Sequence, residues 1–445
     1  MINNQYKSYG LHNLDSMPFF NRLTTQEIAD IRVVSRVLPF KTNNYVVETL
    51  IDWDNYKTDP VYNMNFPQKG MLSDDNFNRV KSALEKGLPE KEFADLIMEI
   101  RLGLNPDPAQ QQNDVPFVCG ERLNGIQHKY DQTVLFFPAQ GQTCHGYCTF
   151  CFRWPQFCGM TELKFSNNDI HILIDYIKKN EKITNILFTG GDPMTMKTSV
   201  LEKYIKPLVE ARLPNLNAIR IGTKSLVSWP YRYTADPDAK ELIDLFKYVV
   251  GSGIHLAVVA HINHPVELST EVAKEAVGKI NRTGAVIRAQ SPLLRHINAE
   301  TGILEKLWKD EVNLGIIPYY LFIPRDTSAQ EYFGLRLEET YEIFNEAYKN
   351  VSGLAKTVRG PVMSTYYGKI QLLGTNTING KKYFCLLLIN SANGNNVNIP
   401  FFAEYNSQAT WFKDLKPAFG QPDFFPPTIS IDSNPQTCAT GPNMV

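Results

Sequence analysis

Three cysteines fall at Cys144, Cys148 and Cys151, within Thr143-Cys-His-Gly-Tyr-Cys-Thr-Phe-Cys-Phe-Arg153, in the spacing C-x3-C-x2-C. Three thiolates in one short loop can hold three irons of a 4Fe–4S cluster and leave the fourth iron open. A full set of four protein ligands would instead suit an electron carrier. An open iron can bind and cleave a small molecule. Plainer readings compete. A structural zinc site wants a fourth Cys or His at short spacing; Cys158 and His145 are candidates, and neither completes a standard knuckle. The thiols could also be simply buried. A disulfide framework does not suit seven cysteines in 445 residues, a sparse and odd number. A second motif, Phe188-Thr-Gly-Gly-Asp-Pro193, sets two adjacent glycines where a ligand or another backbone can approach closely. The aspartate after them can orient a polar head group. By itself this motif reads as a turn.

Both motifs need rigid elements to hold them. From Tyr130 onward short apolar runs alternate with amphipathic stretches. The runs Val134–Pro138, Asn185–Thr189, Ala218–Gly222, His255–Ala260, Ala285–Gln290 and Ile317–Phe322 read as fully buried strands. Helical stretches lie near Asn168–Asn180, Val200–Ala211, Ala239–Gly251, Leu268–Asn281, Gly302–Val312 and Glu338–Asn350. Repeated βα units imply right-handed crossovers and a parallel sheet. Periodicity does not choose between a doubly wound sheet and a partial barrel. In either, the active site lies at the carboxyl ends of the strands, where both motifs fall.

The flanks differ in character. Residues 1–127 read as a mainly helical region, with helices at Asp75–Ala94 and Lys91–Leu102 and a polar, proline-rich connection from Asn105 to Pro116. Residues 128–360 hold the βα alternation. Residues 361–445 read as a small β-rich region, with strands at Lys369–Leu373, Lys382–Leu388 and Asn396–Phe402 and a proline-rich extended tail from Pro417. A formal net charge of −1 gives no support to nucleic-acid binding or membrane steering. No apolar stretch is long enough to span a bilayer. The N-terminus lacks the apolar core of a signal peptide, so a cytoplasmic location with reduced thiols is expected.

The cysteine spacing resembles that of the radical S-adenosylmethionine (SAM) enzymes. There the open iron chelates SAM, and an electron from the cluster splits it into methionine and a 5′-deoxyadenosyl radical that abstracts hydrogen. Between His128 and Lys369 the resemblance sharpens to the lysine 2,3-aminomutase family. It runs through the order of His128-Lys-Tyr130, the cysteine loop, Ile186-Leu-Phe-Thr-Gly-Gly-Asp192, Ile219-Arg-Ile-Gly-Thr-Lys224, His261-Ile-Asn-His-Pro265, Gln290-Ser-Pro-Leu-Leu-Arg295 and Pro318-Tyr-Tyr320. The resemblance implies an α/β fold with a partial (β/α)6 barrel, bound SAM, a reducing donor such as flavodoxin or ferredoxin, and frequent homo-oligomers. It implies that Cys144, Cys148 and Cys151 ligate the cluster and that Phe150 lies near the adenine. Gly190, Gly191 and Asp192 would contact the methionine part of SAM, and His261 and Gln290 occupy strand ends where the family contacts SAM. Arg153 matches the arginine that binds the substrate carboxylate, a task its planar fork suits. Its plainer reading is a surface or ion-pairing arginine, and that of His261 a histidine satisfied by backbone.

The family also carries pyridoxal phosphate (PLP) on a lysine after a run of glycines, where it stabilises an unpaired electron during nitrogen migration. Lys369 stands at that position, in Tyr366-Tyr-Gly-Lys369, but the glycines are replaced by Met363-Ser-Thr-Tyr-Tyr, leaving Gly368. Bulky tyrosines there are expected to narrow a phosphate pocket. The two basic residues that the family offers the phosphate correspond to Lys129 and, approximately, Thr133. The two carboxylates that select a distal amino group correspond to Val362 and to a position near Arg325-Asp326. Lys369 thus has three readings: a PLP lysine, a substrate-binding lysine, or an exposed strand residue. Arg359-Gly-Pro-Val-Met-Ser364 has no derived role. Cys385 and Cys438 stand alone, without the zinc set of some family members, and Cys119 and Cys158 read as buried thiols, with a local redox partner as the alternative. The leading expectation is hydrogen abstraction from an amino acid or related carboxylate, in its most concrete form a 2,3-amino migration. Two alternatives stand beside it: a PLP-free radical SAM enzyme that oxidises, epimerises, hydroxylates or cleaves a small substrate, and a non-catalytic Fe–S or zinc-binding barrel that serves as a sensor or binding protein.

Overall fold

The computed structural model describes residues 4–106, 114–118, 120–160, 165–391 and 396–425. Most of the polar run after Asn105, Cys119, Cys438 and the tail beyond Phe425 lie outside the described residues.

One sheet organises the chain. Its seven parallel strands are β2 (Thr133–Phe136), β3 (Asn185–Phe188), β4 (Ala218–Thr223), β5 (His255–His261), β6 (Val286–Pro292), β7 (Ile316–Phe322) and β8 (Arg359–Thr365). The strand β1 (Ile126–Tyr130) runs antiparallel beside β2, and β9 (Gly368–Ile378), β10 (Lys381–Asn390) and β11 (Pro400–Glu404) continue antiparallel from β8. The order across the sheet is the order along the chain, with no reversal. A doubly wound sheet reverses its order at a switch point. Here same-handed crossovers put every connecting helix on one face, and the other face is left to close on itself. It does so: Nζ of Lys369 on β9 lies 6.0 Å from the ring of Tyr130 on β1, although seven strands separate them in the sheet. The fold is therefore α/β, a partial barrel of six βα units to which β8 adds a seventh parallel strand.

Alternation along each strand divides its side chains. Ile219 and Ile221 on β4, Ile186 and Phe188 on β3 and Ile287 on β6 are fully buried toward the helices. The intervening Arg220 and Arg288 face the concave side, because successive side chains point to opposite faces. The sheet runs without a break across residue 360, inside β8, so the C-terminal strands extend the barrel's sheet.

The N-terminal helices are α1 (Thr25–Val37), α2 (Asp74–Lys86) and α3 (Glu90–Gly103). The boundary between α2 and α3 falls earlier than periodicity indicates, because Gly87 takes a left-handed conformation (φ 60°) that ends α2 and Pro89 opens α3. The barrel helices are α4 (Ile170–Lys179), α5 (Thr198–Glu210), α6 (Ala239–Gly251), α7 (Glu271–Asn281), α8 (Thr301–Asn313) and α9 (Leu337–Lys349). The N-terminal region shares a hydrophobic core with the barrel's rim: Val34, Tyr62 and Phe66 pack in one cluster with Trp154, Trp229 and Phe333. Among the described residues no helix is long and apolar enough to cross a membrane.

Candidate active site

The cysteine loop leaves β2 through a short turn at Ala139–Gly141 and is gripped from outside by the N-terminal region. Lys41 donates from Nζ to the carbonyl of Cys144 (2.8 Å), and its own carbonyl accepts from the N–H of Tyr147 (2.7 Å). The N–H of Thr149 donates to the carbonyl of Met64 (3.0 Å), and its hydroxyl donates to that of Asn63 (2.8 Å). Inside the loop the N–H of Cys151 donates to the carbonyl of Cys148 (3.0 Å), which closes a tight turn between the two cysteines. Burial pushes all three thiols above their ordinary range, so thiolates here need a metal cation to compensate them. Among the described residues no three His, Cys, Asp or Glu side chains converge as one metal ion requires. The three-thiol donor set is the kind that holds an iron–sulfur cluster.

The glycine pair answers the cysteine loop. A Cβ on Gly191 would stand 2.4 Å from the carbonyl oxygen of Thr143, and one on Gly190 would meet the amide of Gln142. The N–H of Asp192 donates to that same Thr143 carbonyl (2.6 Å). The close approach that the glycines permit is thus to the backbone immediately before Cys144. Gly191→Ala is expected to cost about 1–3 kcal/mol by overpacking and to lower iron loading, measured by thermal unfolding and iron per chain after reconstitution.

Asp192 has structural partners of its own. Its carboxylate is buried and accepts from the Thr223 hydroxyl and from the N–H groups of Met194, Lys224 and Ser225. It ties the end of β3 to the end of β4 and is saturated there, so it positions the glycine turn and leaves any head-group contact to the backbone of Gly190 and Gly191.

Phe150, His261 and Gln290 do come together. His261 and Gln290 are register partners at the ends of β5 and β6, and the rings of Phe150 and His261 meet edge to face at 5.7 Å. His261 Nε2 is buried without a hydrogen-bond partner. Burial, then the nearby Lys224 cation, drives the imidazole's pKa well down, so it is neutral. An orphaned polar atom costs free energy unless a ligand meets it, which is the fit expected of a SAM contact. Two residues that sequence reasoning passed over brace this wall. Nζ of Lys224 pairs with the buried Glu267 and donates to Oδ1 of Asn263 (3.0 Å) and the carbonyl of His261 (3.4 Å). Both follow strand ends within or just after quoted motifs, which was the available signal.

Arg153 is enclosed near the cluster loop. Its guanidinium lies 4.5 Å from the ring of Phe137 and 5.1 Å from that of Phe152. Desolvation lowers its pKa to about 10, partly offset by Cys151. Among the described residues no carboxylate stands beside it; the charged groups that act on it are Cys151 and Arg325. A half-buried guanidinium that faces no carboxylate among the described residues could be met by a substrate carboxylate.

Lys369 is neither exposed nor blocked. Its Nζ lies 4.0 Å from the ring centroid of Tyr320, 5.6 Å from Phe322 and 6.0 Å from Tyr130. Tyr320 is the register partner of Gln290, which joins this chamber to the His261 wall. Burial, reinforced by Arg220, Arg359 and Lys129, lowers the lysine's pKa to about 7. The expected narrowing by tyrosines is overturned: Tyr366 is 67% exposed, and Tyr367 packs outward against Phe425. Lys129 is paired with Asp114 (2.6 Å), and Thr133 bonds Asn185. Beside Lys129, Arg220 and Arg359 act on Lys369, and Arg288 lies on the same concave face; Arg220 and Arg359 stood in quoted stretches without an assigned role. Nε of Arg220 is buried without a partner, and an orphaned guanidinium nitrogen near this amine suits the phosphate of PLP. A lysine whose folded pKa is about 7 against 10.5 unfolded binds fewer protons folded than unfolded between those values. Folding stability therefore rises with pH across that window, and the penalty is complete below it. PLP-free Lys369→Met is expected to exceed the parent in stability by up to about 4 kcal/mol at pH 6, with the gap closing toward pH 10.5 in denaturant titrations.

A cavity of about 650 Å³ opens on the outer surface between α7 and α8, bordered by His264, Lys274, Glu300 and Lys306. It touches none of the residues above, whose convergent polar groups are the better guide to chemistry.

No protein-family model matches the chain. A putative L-lysine 2,3-aminomutase of Aquifex aeolicus is 31% identical over 358 residues, 80% of this chain and 83% of that protein. An L-lysine 2,3-aminomutase of Methanococcus maripaludis is 26% identical over 79% of this chain and 71% of its own. A glutamate 2,3-aminomutase of Clostridioides difficile is 30% identical over 48% of this chain and 47% of its own. The extent of the first match, together with the partial barrel, shows that the chain belongs to the lysine 2,3-aminomutase-like family of radical SAM enzymes.

Proposed function

We propose that the protein moves an amino group between adjacent carbons of an α-amino acid, using a 4Fe–4S cluster, SAM and PLP. The observation that carries this reading is the enclosed, low-pKa amine of Lys369, next in register to the strand ends that bear His261 and Gln290. Only a neutral amine can attack a carbonyl cofactor, and burial lowers the pKa of this one to about 7. When bound, the reduced cluster and SAM supply hydrogen abstraction, and PLP supplies a π-system that accepts an unpaired electron beside the migrating nitrogen.

The chain's own residues divide the work. Cys144, Cys148 and Cys151 hold three irons, and the N-terminal clasp through Lys41, Asn63 and Met64 fixes their loop. Phe150, His261, Gln290 and the Gly190–Gly191 backbone bind SAM. Lys369 anchors PLP, with Arg220, Arg288 and Arg359 toward its phosphate. Arg153 takes the substrate's α-carboxylate. The electron comes from a low-potential donor of flavodoxin or ferredoxin type. Residues 128–360 are the catalytic barrel, with 1–127 as its clasp and 361–445 as an extension of its sheet. Relatives named for lysine and for glutamate leave the choice of substrate to this chain's own pocket.

Borohydride reduction of the PLP-reconstituted protein, followed by peptide mapping, tests the reading. A pyridoxyl adduct on Lys369 is expected; a protein that carries no PLP, or carries it elsewhere, contradicts it.

A further inference from the structure

The clasp on the cysteine loop brings a charge as well as hydrogen bonds. Lys41 opens the short strand Lys41–Asn43, which pairs antiparallel with Ser8–Gly10. Two bonds fix that strand against the loop: the N–H of Tyr147 donates to the Lys41 carbonyl (2.7 Å), and Nδ2 of Asn43 donates to the carbonyl of His145 (3.2 Å). From this footing the Lys41 side chain reaches over the loop. Its Nζ donates to the carbonyl of Cys144 (2.8 Å) and to the hydroxyl of Thr143 (3.4 Å). It also lies 5.6 Å from the ring of Tyr147 and 6.0 Å from that of Tyr6. Two oxygens and two ring faces form a seat for an ammonium group.

This cation differs from the others near the cysteines. Lys224, which acts on Cys148, is balanced by the buried carboxylate of Glu267. Arg153, which acts on Cys151, is the residue assigned above to the substrate. Lys41 acts on Cys144, and the partners that seat it are all uncharged. Reduction of a cluster held by three thiolates adds negative charge to a site that is already anionic, and local charge is one of the terms that set its potential. A cation fixed beside a ligand favours the added electron, and more so where water is partly excluded. Lys41 is half-buried.

We propose that Lys41 tunes the reduction potential of the cluster: its ammonium, delivered from outside the barrel by the N-terminal clasp, favours the reduced state. It acts through the cluster and touches neither SAM nor substrate. The assignment rests on the reading of Cys144, Cys148 and Cys151 as cluster ligands. It gives the N-terminal region an electrostatic part in the chemistry beside its mechanical one.

A reductive titration of the reconstituted protein without SAM, followed by electron paramagnetic resonance, reads the midpoint potential directly. Iron and sulfide per chain are measured on every variant. Lys41→Met and Lys41→Gln should each disfavour reduction by about tenfold, a fall of about 59 mV for one electron. Lys41→Gln keeps a donor for the Cys144 carbonyl and removes the charge, so it separates the two roles. Lys41→Arg keeps the charge and should stay within about twofold of the parent. The proposal is overturned if the loaded neutral variants shift by less than about threefold, or if Lys41→Arg falls as far as Lys41→Gln. Failure of the neutral variants to hold iron overturns it too, since Lys41 would then act by pinning the loop. A parent chain that loads no cluster refutes the proposed function and this assignment with it. A loaded parent whose midpoint is indifferent to Lys41 refutes this assignment alone.

Discussion

Replacing any one of Cys144, Cys148 and Cys151 with serine is expected to abolish cluster loading and 5′-deoxyadenosine formation together. The three thiols lie in one loop whose backbone is pinned to Lys41, Met64 and Asn63, so a missing ligand cannot be replaced by a shift of the chain. A hydroxyl is also a far poorer iron ligand than a thiolate. Because the ligands act as a unit, the single variants should lose about as much as the triple variant, at least about 10³-fold in SAM cleavage. Iron analysis, absorbance and 5′-deoxyadenosine by mass spectrometry check this. The control is Cys158→Ser: the Cys158 thiol donates to the carbonyl of Val37 rather than lining the loop, and this variant should load normally.

Lys369→Ala is the second large effect, and it separates two halves of the chemistry. The variant should load its cluster and cleave SAM, because the lysine enters from β9 while the cysteine loop follows β2. It should bind no PLP covalently and lose at least about 10³-fold in amino migration, as expected when a group that acts only in the reacting complex is removed. SAM cleavage would then run uncoupled, with 5′-deoxyadenosine in excess of product. Were Lys369 only a strand residue, its removal from a cage of three rings would alter stability and leave the ratio of product to 5′-deoxyadenosine unchanged.

The elements that carry the site were legible because each is short, apolar and closed by a motif. β4 and β5 fall where their buried β-branched runs place them, and the six intervening helices follow the amphipathic stretches. Strand order was not legible, since crossovers of one hand and of two look alike along a sequence. Nor was the clasp, because nothing local to Lys41 or Asn63 announces a bond to residues over eighty positions away. The bonds of Asp192 to Thr223 and Lys224 were not legible either, because a motif names a residue without naming its hydrogen bonds. Tyr366 and Tyr367 were misjudged because a hairpin turn can point bulk outward. Arg220 and Arg288 gave a signal that went unused: a single cation between fully buried neighbours on a strand must face the opposite side of the sheet.

Reductive SAM cleavage is the central claim, and one anaerobic assay addresses it. Protein reconstituted with iron and sulfide, reduced and supplied with SAM, is monitored for 5′-deoxyadenosine, with and without an amino acid. The account predicts 5′-deoxyadenosine that depends on Cys144, Cys148 and Cys151, and electron paramagnetic resonance of the reduced cluster that changes when SAM is added. A fully loaded cluster that forms no 5′-deoxyadenosine and does not respond to SAM would contradict it.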